Sequence, residues 1–437
     1  MPNPNPEQPN RVPFLSESLS DGLVTAASPP WLTARRLRAH GLILALCLWS
    51  VYVWDMSSPG LRDRAGNLKG TDFLHFYTLG SLALAHDGTD LYNLRAQYEL
   101  ATARVPAAKG IAYLPLYPPQ VSILFAPFAE LSYTWALTAW LALSSLIYFI
   151  CCYALWRTCR KICDQGMTVL ILTFAFPAFW HLIAWGQTSA LALACFTTAF
   201  FALRRRREFL AGLALGCLAF KPQLLLAAVI VSMLTSPWRM LAGALLSSLL
   251  ELTGAALYYG LNSLRNWTWA LLMVRRQVSF FEPRPYQTHC LRTFWSILIP
   301  QPSVATALYV VSGVFVAVLL ASCWRSQLPL SLRFSALLFA SVLLAPHLTV
   351  YDLVILAPAF LLLSDWIVAQ QCGKQTYLKL LLYLAFVLPL LGPLARWTHL
   401  QITVPVMAAI LFILWKSGRA SAGLATSPEL LVFERKL

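Results

Sequence analysis

Apolar runs long enough to cross a bilayer recur along nearly the whole sequence, and no other feature restricts its folding so tightly. They fall near residues 39–54, 133–156, 167–185, 188–203, 208–220, 222–236, 240–259, 304–323, 332–346, 349–369, 377–394 and 399–416. A membrane-crossing helix needs about 20 predominantly apolar residues. Inside hydrocarbon each backbone N–H and C=O has to be bonded within the segment, so runs of this kind become helices. A water-soluble chain of 437 residues has no interior large enough to hide them. Here 58% of residues are hydrophobic and 12% are charged, against about 25% charged in a soluble domain. The expected fold is all-α, a polytopic transmembrane bundle of about 12 spans within a range of roughly 10–13. The pair 208–220 and 222–236 reads either as one helix kinked at Pro222 or as two half-length passes.

Charge orients the bundle. The net charge is +15, from 33 Lys and Arg against 18 Asp and Glu. The basic residues sit in short clusters between apolar runs, such as Arg35, Arg36 and Arg38, or Arg204 to Arg207. That is the positive-inside pattern, and with twelve passes it puts both termini in the cytoplasm. Residues 1–38 are expected to be a disordered cytoplasmic tail, since they open polar and Pro-rich with no apolar signal core. Residues 39–416 form the membrane domain, and 417–437 a second cytoplasmic tail. No basic face with interleaved stacking aromatics exists outside the runs, so nucleic acid is not an expected partner. The ten cysteines lie mostly inside apolar runs and imply no disulfide framework. A basic chain of this kind fits a bacterial inner membrane.

Two long polar segments, about 55–132 and 260–303, then share the outer side with the short turns near Gln187, Lys221, His347 and Trp397. The cytoplasmic turns are short and basic, whereas the outer segments are chemically varied, so function is expected outside. In the first outer loop, Phe73, Phe76, Tyr77, Gly80 and Leu84 recur at helical spacing after Asp72. The spacing predicts a short amphipathic helix lying at the membrane surface. Two readings stand for Asp72 at its start: an N-cap, or a carboxylate held as a general base. Tyr117-Pro118-Pro119 makes a rigid re-entry to the membrane. Gln187, in the turn Trp185-Gly186-Gln187, is a turn residue or an amide for sugar hydroxyls. Lys221 lies between two apolar half-spans, where a charge is costly. It either snorkels to the interface or serves as a cation for a lipid phosphate. His347, Tyr351 and Asp352 share one short turn, able to bind a phosphate and a sugar or to cap helices. Arg275, Arg276, Arg284 and Arg292 stand among aromatics in the second outer loop, which is either a solvated basic loop or a combination suited to an amphiphile with a phosphate and sugar head. No Walker-type loop, metal-ligand spacing or G-x-S-x-G elbow is present, so neither a metal nor another cofactor is expected.

In this order, Thr71-Asp72-Phe73, Asp90-Leu91-Tyr92, Tyr117-Pro118-Pro119, Gly186-Gln187, Lys221-Pro222, Pro346-His347 and Tyr351-Asp352 resemble glycosyltransferase family 87, over about residues 70–370. The resemblance implies a GT-C type of architecture and mannosyltransferase-like activity. It implies a polyprenyl-phosphate sugar as donor, mannose being the expected sugar, used on the outer face. The acceptor would be a glycan or glycolipid hydroxyl, and the anomeric centre would be inverted. Asp72 maps to the family's base. Lys221, His347, Arg275, Arg276 and Arg284 are expected on the donor phosphate. Gln187, Tyr117, Tyr351, Asp352 and His75 are expected on sugar or acceptor. The alternative from another class is a transporter or flippase of a lipid-linked sugar; it leaves the long outer loops without a task.

Overall fold

A computed structural model describes residues 33–235, 238–274, 284–370 and 376–425. Among these residues the regular elements are helices, and β pairing is limited to two isolated bridges, Arg62 with Leu68 and Thr288 with Thr349. The helices are α1 (Ala34–Met56), α2 (Thr71–Leu84), α3 (Leu94–Arg104), α4 (Gln120–Ala129), α5 (Tyr133–Trp156), α6 (Gly166–Phe174), α7 (Pro177–Trp185), α8 (Ser189–Arg204), α9 (Glu208–Gly216), α10 (Leu226–Thr235), α11 (Trp238–Tyr259) and α12 (Leu261–Val274). They continue as α13 (Leu291–Leu298), α14 (Pro302–Arg325), α15 (Leu330–Leu344), α16 (Ala357–Ala369), α17 (Thr376–Val387) and α18 (Thr403–Ala425).

Six helical segments among the described residues are long and apolar enough to cross a membrane, seven if a bent pair counts as one span. The pair is Cys163–Phe174 with Pro177–Trp185, bent by 46°; Pro177, which lacks an N–H, starts its second half. Four of the expected runs fall on shorter apolar helices, Ser189–Arg204, Glu208–Phe220, Pro222–Thr235 and Leu330–Leu344. At 1.5 Å per residue, a helix of 15 residues spans about 23 Å, short of the ~30 Å hydrocarbon core. Length and composition therefore give six or seven candidate spans among the described residues, fewer than the roughly twelve runs that apolarity alone marks out. Leu249, Leu250 and Leu257 on α11, with Val310, Val311 and Val314 on α14, face outward and exposed. Contiguous apolar surface of this kind drives association in water and costs nothing in lipid.

The run around Lys221 is broken. The backbone leaves helical geometry at Lys221 (φ −133°, ψ 68°), between short 3-10 turns at Cys217–Phe220 and Pro222–Leu224. The two halves then diverge: α9 packs chiefly on α11, whereas α10 packs chiefly on α14 and α15 and touches α11 less.

Helix α2 departs from expectation. Its sequence predicts a half-wet helix on the membrane surface, but Phe73 to Ala83 are all buried. Helices α3, α4 and α5 enclose it. Phe73 and Phe76 pack on Phe125 of α4, which meets Trp140 of α5 edge-on. The polar positions are satisfied internally. Thr78 and Ser81 donate to the carbonyls of Leu74 and Tyr77, both at 2.8 Å, and Arg104 of α3 donates to the Ser81 and Tyr77 hydroxyls. Polar side chains that look solvated in sequence are thus covered by other elements. His75 is the exception: among the described residues neither of its ring nitrogens has a hydrogen-bond partner.

Candidate active site

Two left-handed glycines set the site. Gly70 (φ 63°) is the N-cap of α2, and its carbonyl accepts from Tyr133 Oη at 3.0 Å. Gly186 (φ 71°) ends α7, with its carbonyl held by Trp140 Nε1 at 3.0 Å. A residue with a Cβ is disfavoured at such φ values, and a Cβ added at Gly186 falls 2.8 Å from Cβ of Phe73. The turn after α7 is therefore pressed against the first turn of α2, and Gln187 meets Asp72.

The cap and base readings of Asp72 separate here. The cap position belongs to Gly70, and no side chain caps α2. Asp72 Oδ2 instead accepts from Gln187 Nε2 at 2.7 Å. Gln187 Nε2 also donates to Tyr351 Oη at 3.1 Å, and its Oε1 accepts from Thr188 N at 3.2 Å and Tyr117 Oη at 3.4 Å. Burial pushes the Asp72 carboxyl up to about 6. The Gln187 N–H and the charges of Lys221 and Arg284 oppose that rise, while Asp352 adds to it. The group is thus ionised at neutral pH but far more proton-loving than a surface Asp.

Lys221, at the break between α9 and α10, reaches Asp352 in the first turn of the 3-10 segment Val350–Leu356. Lys221 Nζ lies 2.6 Å from Asp352 Oδ1 and 3.0 Å from Ser189 Oγ, with both charged side chains only 3–4% exposed. Ser189 donates to the same Oδ1 at 2.6 Å. Asp352 Oδ2 accepts from Thr349 N and Oγ1 at 3.3 and 3.2 Å, closing a capping box. The Lys221 ammonium sits over the Tyr351 ring, 5.2 Å from its centroid.

These groups line one cavity of about 1230 Å³. Its wall brings together every described residue that the sequence nominated: Asp72, His75, Tyr117, Gln187, Lys221, Arg284, His347, Tyr351 and Asp352. Arg275 and Arg276 lie outside the described residues. Arg284 stacks over Trp185 at 5.9 Å and makes no ion pair among the described residues. His75 stands between the rings of Tyr113 and Tyr117, at 5.1 and 5.7 Å between centroids. Burial pulls its imidazole down to about 4, so it is neutral at physiological pH. Burial also raises the Tyr113 and Tyr117 hydroxyls, which keeps them protonated.

Sequence reasoning passed over three residues. Tyr113 lines the cavity and donates to the Thr71 carbonyl. Ser189 bridges Lys221 and Asp352; its one signal is a hydroxyl at the start of a mostly apolar helix. Arg292, read only as part of a basic loop, lines the cavity and donates to the Pro346 carbonyl. Among the described residues no three His, Cys, Asp or Glu side chains are grouped as metal ligands.

Compared with known proteins, residues 116–346, more than half of the chain, match the family model described as glycosyltransferase family 87. The match contains Tyr117, Gln187, Lys221 and Arg284, while Asp72, His75, His347, Tyr351 and Asp352 lie beyond its ends. No curated protein and no solved structure matches the chain.

Proposed function

The chain belongs to glycosyltransferase family 87, and from that premise we propose that it moves a hexose, mannose, from a polyprenyl-phosphate donor to a hydroxyl of a glycan or glycolipid acceptor. The reaction takes place on the outer face of a bacterial inner membrane, in a GT-C type bundle with both termini cytoplasmic. The observation that carries this reading is the shared cavity. In it the Asp72 carboxylate, with Oδ1 unengaged by any described residue, lies in one space with Arg284, His347 and the neutral imidazole of His75.

Asp72 Oδ1 accepts the proton of the acceptor hydroxyl as that oxygen bonds to the anomeric carbon. The bond from the anomeric carbon to the phosphate oxygen breaks, and the polyprenyl phosphate leaves with the electron pair. The transition state is oxocarbenium-like, and negative charge grows on the departing phosphate. The planar fork of Arg284, with His347, takes the growing charge on the phosphate. One in-line displacement inverts the sugar. A neutral imidazole offers one donor and one acceptor, so His75 suits a neutral hydroxyl-bearing sugar better than an anion.

The test is transfer by purified protein in liposomes, given radiolabelled polyprenyl-phosphate mannose and a membrane extract as acceptor pool. Wild type is expected to form a labelled product and Asp72→Asn to form none. Equal transfer by both proteins would remove Asp72 from the role of base.

A further inference from the structure

Several side chains whose chemistry suits a substrate already have their bonding capacity filled. A primary amide has two N–H donors and two acceptor lone pairs. Gln187 spends both donors on Asp72 and Tyr351, and both lone pairs on Thr188 and Tyr117. An ionised carboxylate has about four acceptor sites. Asp352 fills them with Lys221, Ser189 and the two donors of Thr349. Lys221 commits two of its three N–H donors to Asp352 and Ser189 and lays its charge on the Tyr351 ring. The pair is neutral as a unit, so it adds little field at a departing phosphate.

We propose that Gln187, Tyr351 and the Lys221–Asp352 pair form a positioning network for Asp72, and that Gln187 and Lys221 contact neither sugar nor phosphate. This rests on Asp72 being the base proposed above. The network runs through four elements. Lys221 at the helix break pins Asp352; Asp352 caps the 3-10 turn Val350–Leu356 and so fixes Tyr351 beside it. Tyr351 orients the Gln187 amide, and that amide holds Asp72 Oδ2. With Oδ2 held, the carboxylate cannot rotate, and Oδ1 stays available to an acceptor. Donation to the charged form also favours ionisation, which works against the burial that raises this carboxyl.

A pH profile and a kcat-against-KM split separate positioning from substrate contact. The liposome assay is run with radiolabelled polyprenyl-phosphate mannose on wild type, Asp72→Asn, Gln187→Met and two Lys221 variants. Gln187→Met keeps side-chain length and loses the donors. It is expected to lower kcat on the order of tenfold and to move the acid limb above about 6. The donor KM should stay within about twofold. Lys221→Met leaves a buried carboxylate unpaired and is expected to lose folded protein. Adding Asp352→Asn should restore the thermal transition and a wild-type donor KM. A Gln187→Met protein with raised KM, unchanged kcat and an unmoved acid limb would overturn the network, as would a folded double variant whose donor KM stays about tenfold high. Wild-type turnover by Asp72→Asn would overturn the base assignment itself, and the network with it. An inactive Asp72→Asn beside either of the first two results would overturn the network alone.

Discussion

Asp72 and His75 stand one turn apart on α2, and burial moves them in opposite chemical senses. The carboxyl rises to about 6, because burial penalises its charged form. As a base it must be ionised, so kcat/KM is expected to fall about tenfold per pH unit below about 6 and to level off above it. Stability runs the other way. A carboxyl whose folded value is raised favours the protonated fold; that contribution is complete below the ordinary carboxylate range and is lost as pH rises through about 6. Asp72→Asn should therefore melt no lower than wild type at pH 7.5 while losing transfer, which separates a lost base from a lost fold. His75 gives a second trade. Its unpartnered ring nitrogens carry an unrecovered desolvation cost. Replacing it by Phe is expected to raise the melting temperature slightly and to raise the acceptor KM several-fold. An unchanged acceptor KM would leave the imidazole without a ligand to bind.

The elements matter through their ends. Asp72, Gln187, Lys221 and Asp352 all lie at helix starts, helix breaks or turns, where the backbone is free to bring side chains from α2, α7, α9 and the turn before α16 to one point. Gly186 is the tightest of these joints. Gly186→Ala puts a Cβ 2.8 Å from that of Phe73 and forces an unfavourable φ. A left-handed conformation costs about 1–2 kcal/mol, and relief would move Gln187 off Asp72. A lower melting temperature and reduced kcat are expected together, with the donor KM little changed. Sequence periodicity identified α2 as a helix, since Phe73, Phe76, Tyr77 and Gly80 repeat at helical spacing. It gave the wrong surroundings for α2. Thr78, Ser81 and Arg104 are polar by composition, yet in the fold their polar atoms bond to α2 itself or to its immediate neighbours.

For the whole molecule, the apolar skin suits lipid, and the large cavity gathers the polar and charged side chains of the proposed site. The loop carrying α3 is expected on the outer face and the turn at Cys163 on the cytoplasmic face; Glu99 and Cys163 are both exposed. A cysteine at position 99 should react with an impermeant maleimide in intact cells, whereas Cys163 should react only after permeabilisation. The Arg95–Glu99 pair that it removes is solvent-exposed, and screened surface pairs of this kind contribute little to stability, so the probe leaves the fold undisturbed. Labelling of Cys163 from outside would invert the proposed topology and remove the cavity from the outer face.

Sequence alone pointed to lipid as the solvent and to an all-helical bundle, and it nominated the side chains of the proposed site. Apolar runs of this length and number fit only lipid, and the order of Asp72, Tyr117, Gln187, Lys221, His347 and Asp352 carried the family resemblance. How many runs cross the bilayer was not determined in this way, because apolarity is local whereas a span is a matter of unbroken helix length; the break at Lys221 and the short α8 and α15 are backbone facts. Partnership was equally hidden. Lys221 and Asp352 are 131 residues apart, and Asp72 and Gln187 are 115 apart. Which charges neutralise one another, and which polar atoms remain for a substrate, depends on contacts that close only when the helices pack.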